Sequence, residues 1–296
     1  GQTIANSVIA KVGANGQVNI YNDMGTTQVI ADVAGWFPTT AAYNALAPAR
    51  LMDTRPGAAT IDGIAAGAGA LLNGSVRTVT VTGRGGVPTS GAGTVVLNIT
   101  VTAPTGYGFL TAFPTGSAIP ATSNLNFGPG QTIGNQVIAQ VGTNGQVSIY
   151  NPIGSTQVIA DVAGWFPTGT AYNALPAARL MDTRPGAPTT DGIASGTGPL
   201  APGATRTLTV TGRGGVPATG VGAVVINMAV TGTTAPSFLT VFPTGWPQPN
   251  ASSLNFGAGQ TIANLVIAKV GSNGQISITN FSGSTQVIGD VAGWFA

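Results

Sequence analysis

A stretch of 38 residues occurs three times in this chain, at Gly1–Pro38, Gly130–Pro167 and Gly259–Ala296, a fixed step of 129 residues. About 30 of the 38 positions are identical between the first two copies. Self-similarity at a long fixed period marks a tandem array, so every residue has to be read against its counterpart 129 positions away. The chain divides into residues 1–38, the C-terminal part of one repeat, followed by complete repeats at 39–167 and 168–296. Each complete repeat is long enough to bury a core of its own.

Within a repeat the apolar residues alternate. Val79 and Val81 share one face of Ser75–Thr82, and Leu97, Ile99 and Val101 share one face of Thr94–Thr102. Further strands are expected at Ala49–Pro56, Phe109–Phe113, Thr122–Phe127 and through Gln131–Phe166. Turn residues recur every 8 to 12 positions and no helical period appears, which predicts an all-β fold of tandem antiparallel β-sandwiches, jelly-roll or Ig-like, with about eight strands per 129 residues. Residues 1–38 read as three strands, Ser7–Val12, Gln17–Asn22 and Thr27–Phe37, the first two joined by an Asn15-Gly16 hairpin turn. Three strands with one apolar face need a second layer. That layer is expected from a preceding repeat or from a neighbouring molecule by strand complementation. Ile9, Ile30, Ile138 and Ile159 point away from the core face and are candidate contacts between repeats. The short link Phe166–Thr170 suggests a semi-rigid rod.

Only 6% of residues are charged, with no Glu, His or Cys, and none is charged from Gly85 to Ala160. Ordinary soluble domains carry about 25%. A surface so poor in ions invites association, so burial in a polymer or a coat of covalent glycan is expected to manage it. A net charge of +2 is too weak a bias for nucleic acid. Gly, Pro and polar residues interrupt the apolar runs, which excludes a helical membrane span. The absent Cys and His leave no disulfide framework and no metal site of the usual kind, and no cofactor motif is present. With isolated Asp as the sole candidates for proton transfer, an enzyme is not expected.

The few charges sit at matched positions. Arg50, Asp53 and Arg55 recur as Arg179, Asp182 and Arg184, while Asp32, Asp161 and Asp290 precede Val-Ala-Gly-Trp-Phe in every copy. Two readings fit these residues: an anion or sugar-carboxylate clamp built on the planar Arg fork, or an ion-pair cluster holding irregular loops. A carboxylate metal site from Asp53 and Asp62 has no supporting spacing. Trp36, Trp165 and Trp294 end each copy and are either a sugar platform or padding at the joint between repeats, the latter being preferred. Thr78, Thr80 and Thr82, matched by Thr207, Thr209 and Thr211, present a hydroxyl face open to O-glycosylation. The Asn-x-Ser/Thr sequons at Asn73, Asn98, Asn250 and Asn280 are unmatched between repeats and look accidental.

Arg-Leu-Met-Asp-Thr-Arg, Gly-Phe-Leu-Thr-Ala-Phe-Pro at Gly108–Pro114, Ser-Asn-Leu-Asn-Phe at Ser123–Phe127, and Val-Ile-Ala-Asp-Val-Ala-Gly-Trp-Phe together resemble the tandem β-sandwich repeats of large secreted and cell-surface bacterial proteins of actinobacterial type. In style the array is similar to subunits of glycosylated extracellular fibrils. The resemblance implies an extracellular or cell-surface structural subunit of a fibre or stalk, a self-associating polymer. A carbohydrate-binding or adhesive module is the alternative.

Overall fold

The computed structural model describes residues 4–38, 43–169 and 172–296; Gly1–Thr3 of the first copy and Thr170 of the link lie outside the described residues. The two complete repeats are eight-stranded units. The first consists of β1 (Asn44–Asp53), β2 (Ser75–Thr80), β3 (Ala92–Thr102), β4 (Gly108–Pro114), β5 (Leu125–Phe127), β6 (Ile133–Gln140), β7 (Gln146–Asn151) and β8 (Gln157–Pro167). The second repeats them as β9 (Tyr172–Asp182), β10 (Thr205–Thr209), β11 (Ala223–Thr231), β12 (Ser237–Pro243), β13 (Leu254–Phe256), β14 (Ile262–Lys269), β15 (Gln275–Asn280) and β16 (Gln286–Phe295).

In each unit two four-stranded antiparallel sheets face one another. The orders are β1-β8-β3-β6 and β2-β7-β4-β5, reproduced as β9-β16-β11-β14 and β10-β15-β12-β13. Of the two sandwich topologies left open by the strand pattern, this is the jelly roll, wound so that an early strand pairs with a late one. Alternation puts Val95, Leu97, Ile99 and Val101 of β3 into the space between the sheets, against Val147, Ile149, Val158 and Val162 of the late strands, all fully buried. β3 is central in its sheet, and its other face is covered as well: Val96 is buried in a separate apolar cluster shared between repeats.

The Asn-Gly turn is not a hairpin. β6 pairs with β3 in one sheet, and β7 pairs with β2 and β4 in the other. The turn between them, a single 3-10 turn at Thr143–Gly145 with Asn144 at φ 57°, carries the chain from sheet to sheet. Asn tolerates this left-handed backbone, and that local preference is common to hairpins and crossings. Gly142 opens the same turn because a Cβ there would run into the backbone of Thr115.

The same winding overturns the three-strand reading of residues 1–38. By the 129-residue step they carry the sequences of β6, β7 and β8, and in the complete units those strands never pair with each other. β6 takes β3, β7 takes β2 and β4, and β8 takes β1 and β3. Residues 4–38 lack all of these partners. Accordingly they hold no strand among the described residues, only the 3-10 turn at Ala14–Gly16.

Candidate functional site

The matched charges form closed ion-pair networks at the ends of β1 and β9. Arg50 Nε donates to Asp161 at 2.9 Å and Arg50 Nη1 to Asp53 at 3.0 Å, while Arg55 holds Asp53 through Nε and Nη2 at 2.9 and 2.6 Å. In the second unit Arg179 bridges Asp290 at 2.8 Å and Asp182 at 3.1 Å, and Arg184 Nη2 reaches Asp182 at 2.6 Å. Arg55, chiefly through its side-chain hydrogen bonds, holds the Asp53 carboxyl below its usual range. Burial pushes Asp182 up, and the bonds and charge of Arg184 and Arg179 outweigh it, so its net shift is downward. Burial dominates at Asp290 and raises it despite Arg179. A second network in each unit, built on Arg84 in the first and Arg213 in the second, lies between β2 or β10 and the irregular loop. Buried Arg84 donates to Asp62 at 2.7 Å and to the carbonyls of Thr80, Leu51 and Ile64. Arg213 does the same with Asp191. The Arg84 and Arg213 side chains hold Asp62 and Asp191 down to about 2.

In these contacts the guanidinium groups and carboxylates engage one another. Both oxygens of Asp53 and Asp62 are taken by guanidinium groups, so the pair is not arranged to hold a cation, and the Arg forks are turned inward onto carboxylates. The networks hold loops: Asp53 also accepts from the Arg55 backbone N–H, and Asp62 from that of Ile64. Asp32, in the partnerless segment, is exposed.

The joint between repeats is made by Phe, not Trp. Trp165 and Trp294 are partly buried against the sandwich core, and Trp36 is 80% exposed. Alternation along β8 sends Phe166, the next residue, to the opposite face of the sheet, into the apolar cluster shared between repeats. There Phe37, Phe166 and Phe295, successive copies of one position, form a triangle with ring-centroid sides of 5.8, 5.9 and 5.6 Å. Tyr43 lies between Phe37 and Phe166 at 5.2 and 4.9 Å, and Tyr172 between Phe166 and Phe295 at 5.2 and 5.1 Å. The Tyr43 hydroxyl donates to the Ala163 carbonyl, and burial pushes it up to about 12. Gly164 is required beneath that ring, because a Cβ would occupy it.

Around the triangle runs a ring of hydrogen bonds through Asn6, Asn135 and Asn264, again one position in three copies. The backbone N–H of Gln136 donates to Asn6 Oδ1 at 3.3 Å, that of Leu265 to Asn135 Oδ1 at 3.1 Å, and that of Ser7 to Asn264 Oδ1 at 3.2 Å. The last bond returns to the first repeat, so the set closes on itself. The repeats are therefore gathered round a pseudo-threefold axis and not strung as a rod. A head-to-tail interface whose rotation closes makes a ring instead of a filament.

Of the isoleucines expected between repeats, Ile138 is buried at this axis and Ile9 packs against it. Ile159 is buried, and Ile30, in the segment that holds no strand among the described residues, is exposed. Among the threonines, Thr78 and Thr207 are exposed. Thr80 and Thr209 accept hydrogen bonds from Gln146 and Gln275, and Thr82 and Thr211 press on Gly145 and Gly274, so the expected hydroxyl face reduces to its outermost member. The Asn ring and the Tyr43 and Tyr172 rings were missed by sequence reasoning. Their one signal is recurrence at the 129-residue step, which most of their neighbours share.

No family model matches the chain, and no curated protein matches it. Among solved structures it is similar to the N-terminal CBM22-1-CBM22-2 tandem domain of Paenibacillus barcinonensis Xyn10C, at 12% identity over 84% of this chain and 98% of that one. The TM-score is 0.21, too low to carry an argument about fold or ligand.

Proposed function

We propose that this chain is a structural subunit of an extracellular or cell-surface fibre or stalk, glycosylated, and held together by strands shared between repeat segments. The observation that carries this reading is the open core face of residues 4–38. Val8, Val18, Ile20, Val29 and Val33 are exposed, whereas their counterparts Val137, Val147, Ile149, Val158 and Val162 are buried. Covering each such side chain is worth about 1.5–3 kcal/mol, and exposed apolar side chains in this number favour association. The charges are spent on holding loops, which fits a scaffold better than a ligand clamp. Thr78 and Thr207, exposed on the edge strands β2 and β10, are the positions best placed for O-linked sugar. No helix of the described residues is long and apolar enough to cross a membrane. Electron microscopy of the native material with intact-mass analysis tests the reading: fibres carrying extra hexose mass support it, and discrete unmodified particles at 29.2 kDa refute it.

A glycan-binding module is the second reading, favoured by one crevice between the two complete units. It encloses about 790 Å³ and is lined by Tyr107 and Gln131 of one unit and by Phe238, Phe281 and Gln260 of the other. Phe238 and Phe281 stack at 4.8 Å, and exposed aromatic faces beside amide side chains suit a sugar ring. Under this reading Tyr107→Ala and Phe281→Ala each abolish retention on cell-wall polysaccharide; unchanged retention, or none in the parent chain, removes it.

A further inference from the structure

We propose that the third position of the ring takes a polypeptide segment equivalent to residues 43–130, which pairs with residues 4–38 and covers Arg50 and Asp161. The inference rests on the strand-sharing part of the reading above and is independent of fibres or glycan. The jelly-roll pairing defines the occupant. Residues 4–11, 17–22 and 28–38 correspond to β6, β7 and β8, and the strands those take in a complete unit are β1 to β4, within residues 43–130. Residues 4–38 already stand at the axis near both ends, through Ser7 to Asn264 and Phe37 to Phe295.

The two matched ion-pair networks differ in exposure in the sense this pairing requires. A small crevice over the second unit's network is walled by Phe109, Ala121, Thr122 and Asn126 of the first complete unit, facing Arg179 and Arg184. Beneath that cover Arg179 is 20% and Asp290 3% exposed, against 38% and 26% for Arg50 and Asp161, whose cover belongs to the third position. Asn227 donates across the same boundary to the Ser123 carbonyl at 2.6 Å. Its counterpart Asn98 donates instead to Thr100 of its own strand at 3.3 Å, while its Oδ1 accepts from Asn6 at 3.4 Å.

A second copy of this sequence is a poor occupant. Each complete repeat already holds its own β6 to β8 or β14 to β16, so donation would require those strands to be expelled.

The test compares hydrogen exchange in the chain as it stands with two extended chains. One carries a second copy of residues 168–258 after Ala296 and the other carries it before Gly1, and either extension brings the chain to three whole periods. Amides of residues 4–38 are expected to exchange freely in the parent chain. In the extended monomers their exchange should slow by orders of magnitude, to the level of residues 133–167, whose own protection stays constant and reports correct folding. The proposal is overturned if both extended chains fold their two complete repeats yet leave residues 4–38 unprotected. It is equally overturned if the parent chain protects residues 4–38 by dimerising with itself. Protection in an extended monomer that forms no fibre would retain this inference while removing the fibre reading.

Discussion

Phe166→Ala strikes the junction at its centre. The ring is 2% exposed and touches Tyr43, Tyr172, Phe37 and Phe295 at centroid distances of 4.9 to 5.9 Å, so its contacts reach all three repeats. Truncating a buried Phe costs about 3–5 kcal/mol, the transfer loss plus the cavity left behind. The aromatic pairs, worth about 0.5–1.5 kcal/mol each, fall within that figure and do not add to it. For a chain of this size the cost corresponds to a fall of about 5–8 °C in melting temperature. Since the lost contacts join units and leave each sandwich core intact, calorimetry is expected to resolve one transition in the parent and two in Phe166→Ala. Trp36→Ala, one position earlier in the repeat and 80% exposed, should cost less than about 0.5 kcal/mol. A cost below about 1 kcal/mol for Phe166→Ala, or an equal cost for Trp36→Ala, would refute the assignment of the joint to Phe.

Arg84→Met leaves Asp62 and three carbonyls without their donor, and urea denaturation should show a loss of about 3–5 kcal/mol that Arg84→Lys does not restore, since one ammonium cannot reproduce the fork. Asp62 and Asp191, held at about 2 when folded against about 3.9 unfolded, contribute stability that is present above about pH 4 and lost as pH falls toward 2. Asp290, raised by burial, has the opposite sign and offsets part of this loss; the denaturation midpoint should still drop across that window, with a slope that Asp62→Asn with Asp191→Asn flattens. Tyr43, pushed up to about 12, keeps its contribution below pH 10 and loses it as pH rises toward 12; tyrosinate absorbance should appear together with loosening of the junction, and Tyr43→Phe should shift that loosening upward.

Strand content was legible because alternation has a period of two and the Gly, Pro and Asn turns are dense, so the eight strands per repeat could be read locally. Pairing was not, because β3 with β6 and β2 with β7 are contacts between distant segments. Asn144 shows the limit clearly: a left-handed Asn before Gly serves a sheet-to-sheet crossing as well as a hairpin. The Arg50, Asp53 and Asp161 network was legible because charges are so sparse that matched ones had few other partners. Trp165 against Phe166 was not, since one residue of register decides which aromatic faces the core and which the axis. The closure at three is set by the angle between sandwiches, and a linear repeat of 129 residues is equally compatible with a rod.

A disulfide between repeats tests that closure most directly, in a chain with no native Cys. Ser7→Cys with Asn264→Cys joins positions linked across the axis by a 3.2 Å hydrogen bond, although a complete repeat separates them along the chain. Asn6→Cys with Gln136→Cys joins neighbouring repeats and serves as the reference. Mild oxidation of the closed arrangement should give a single intramolecular disulfide with either pair. If the reference pair closes while Cys at 7 and 264 remain free, or link only between molecules, the repeats do not meet around an axis and the ring is wrong.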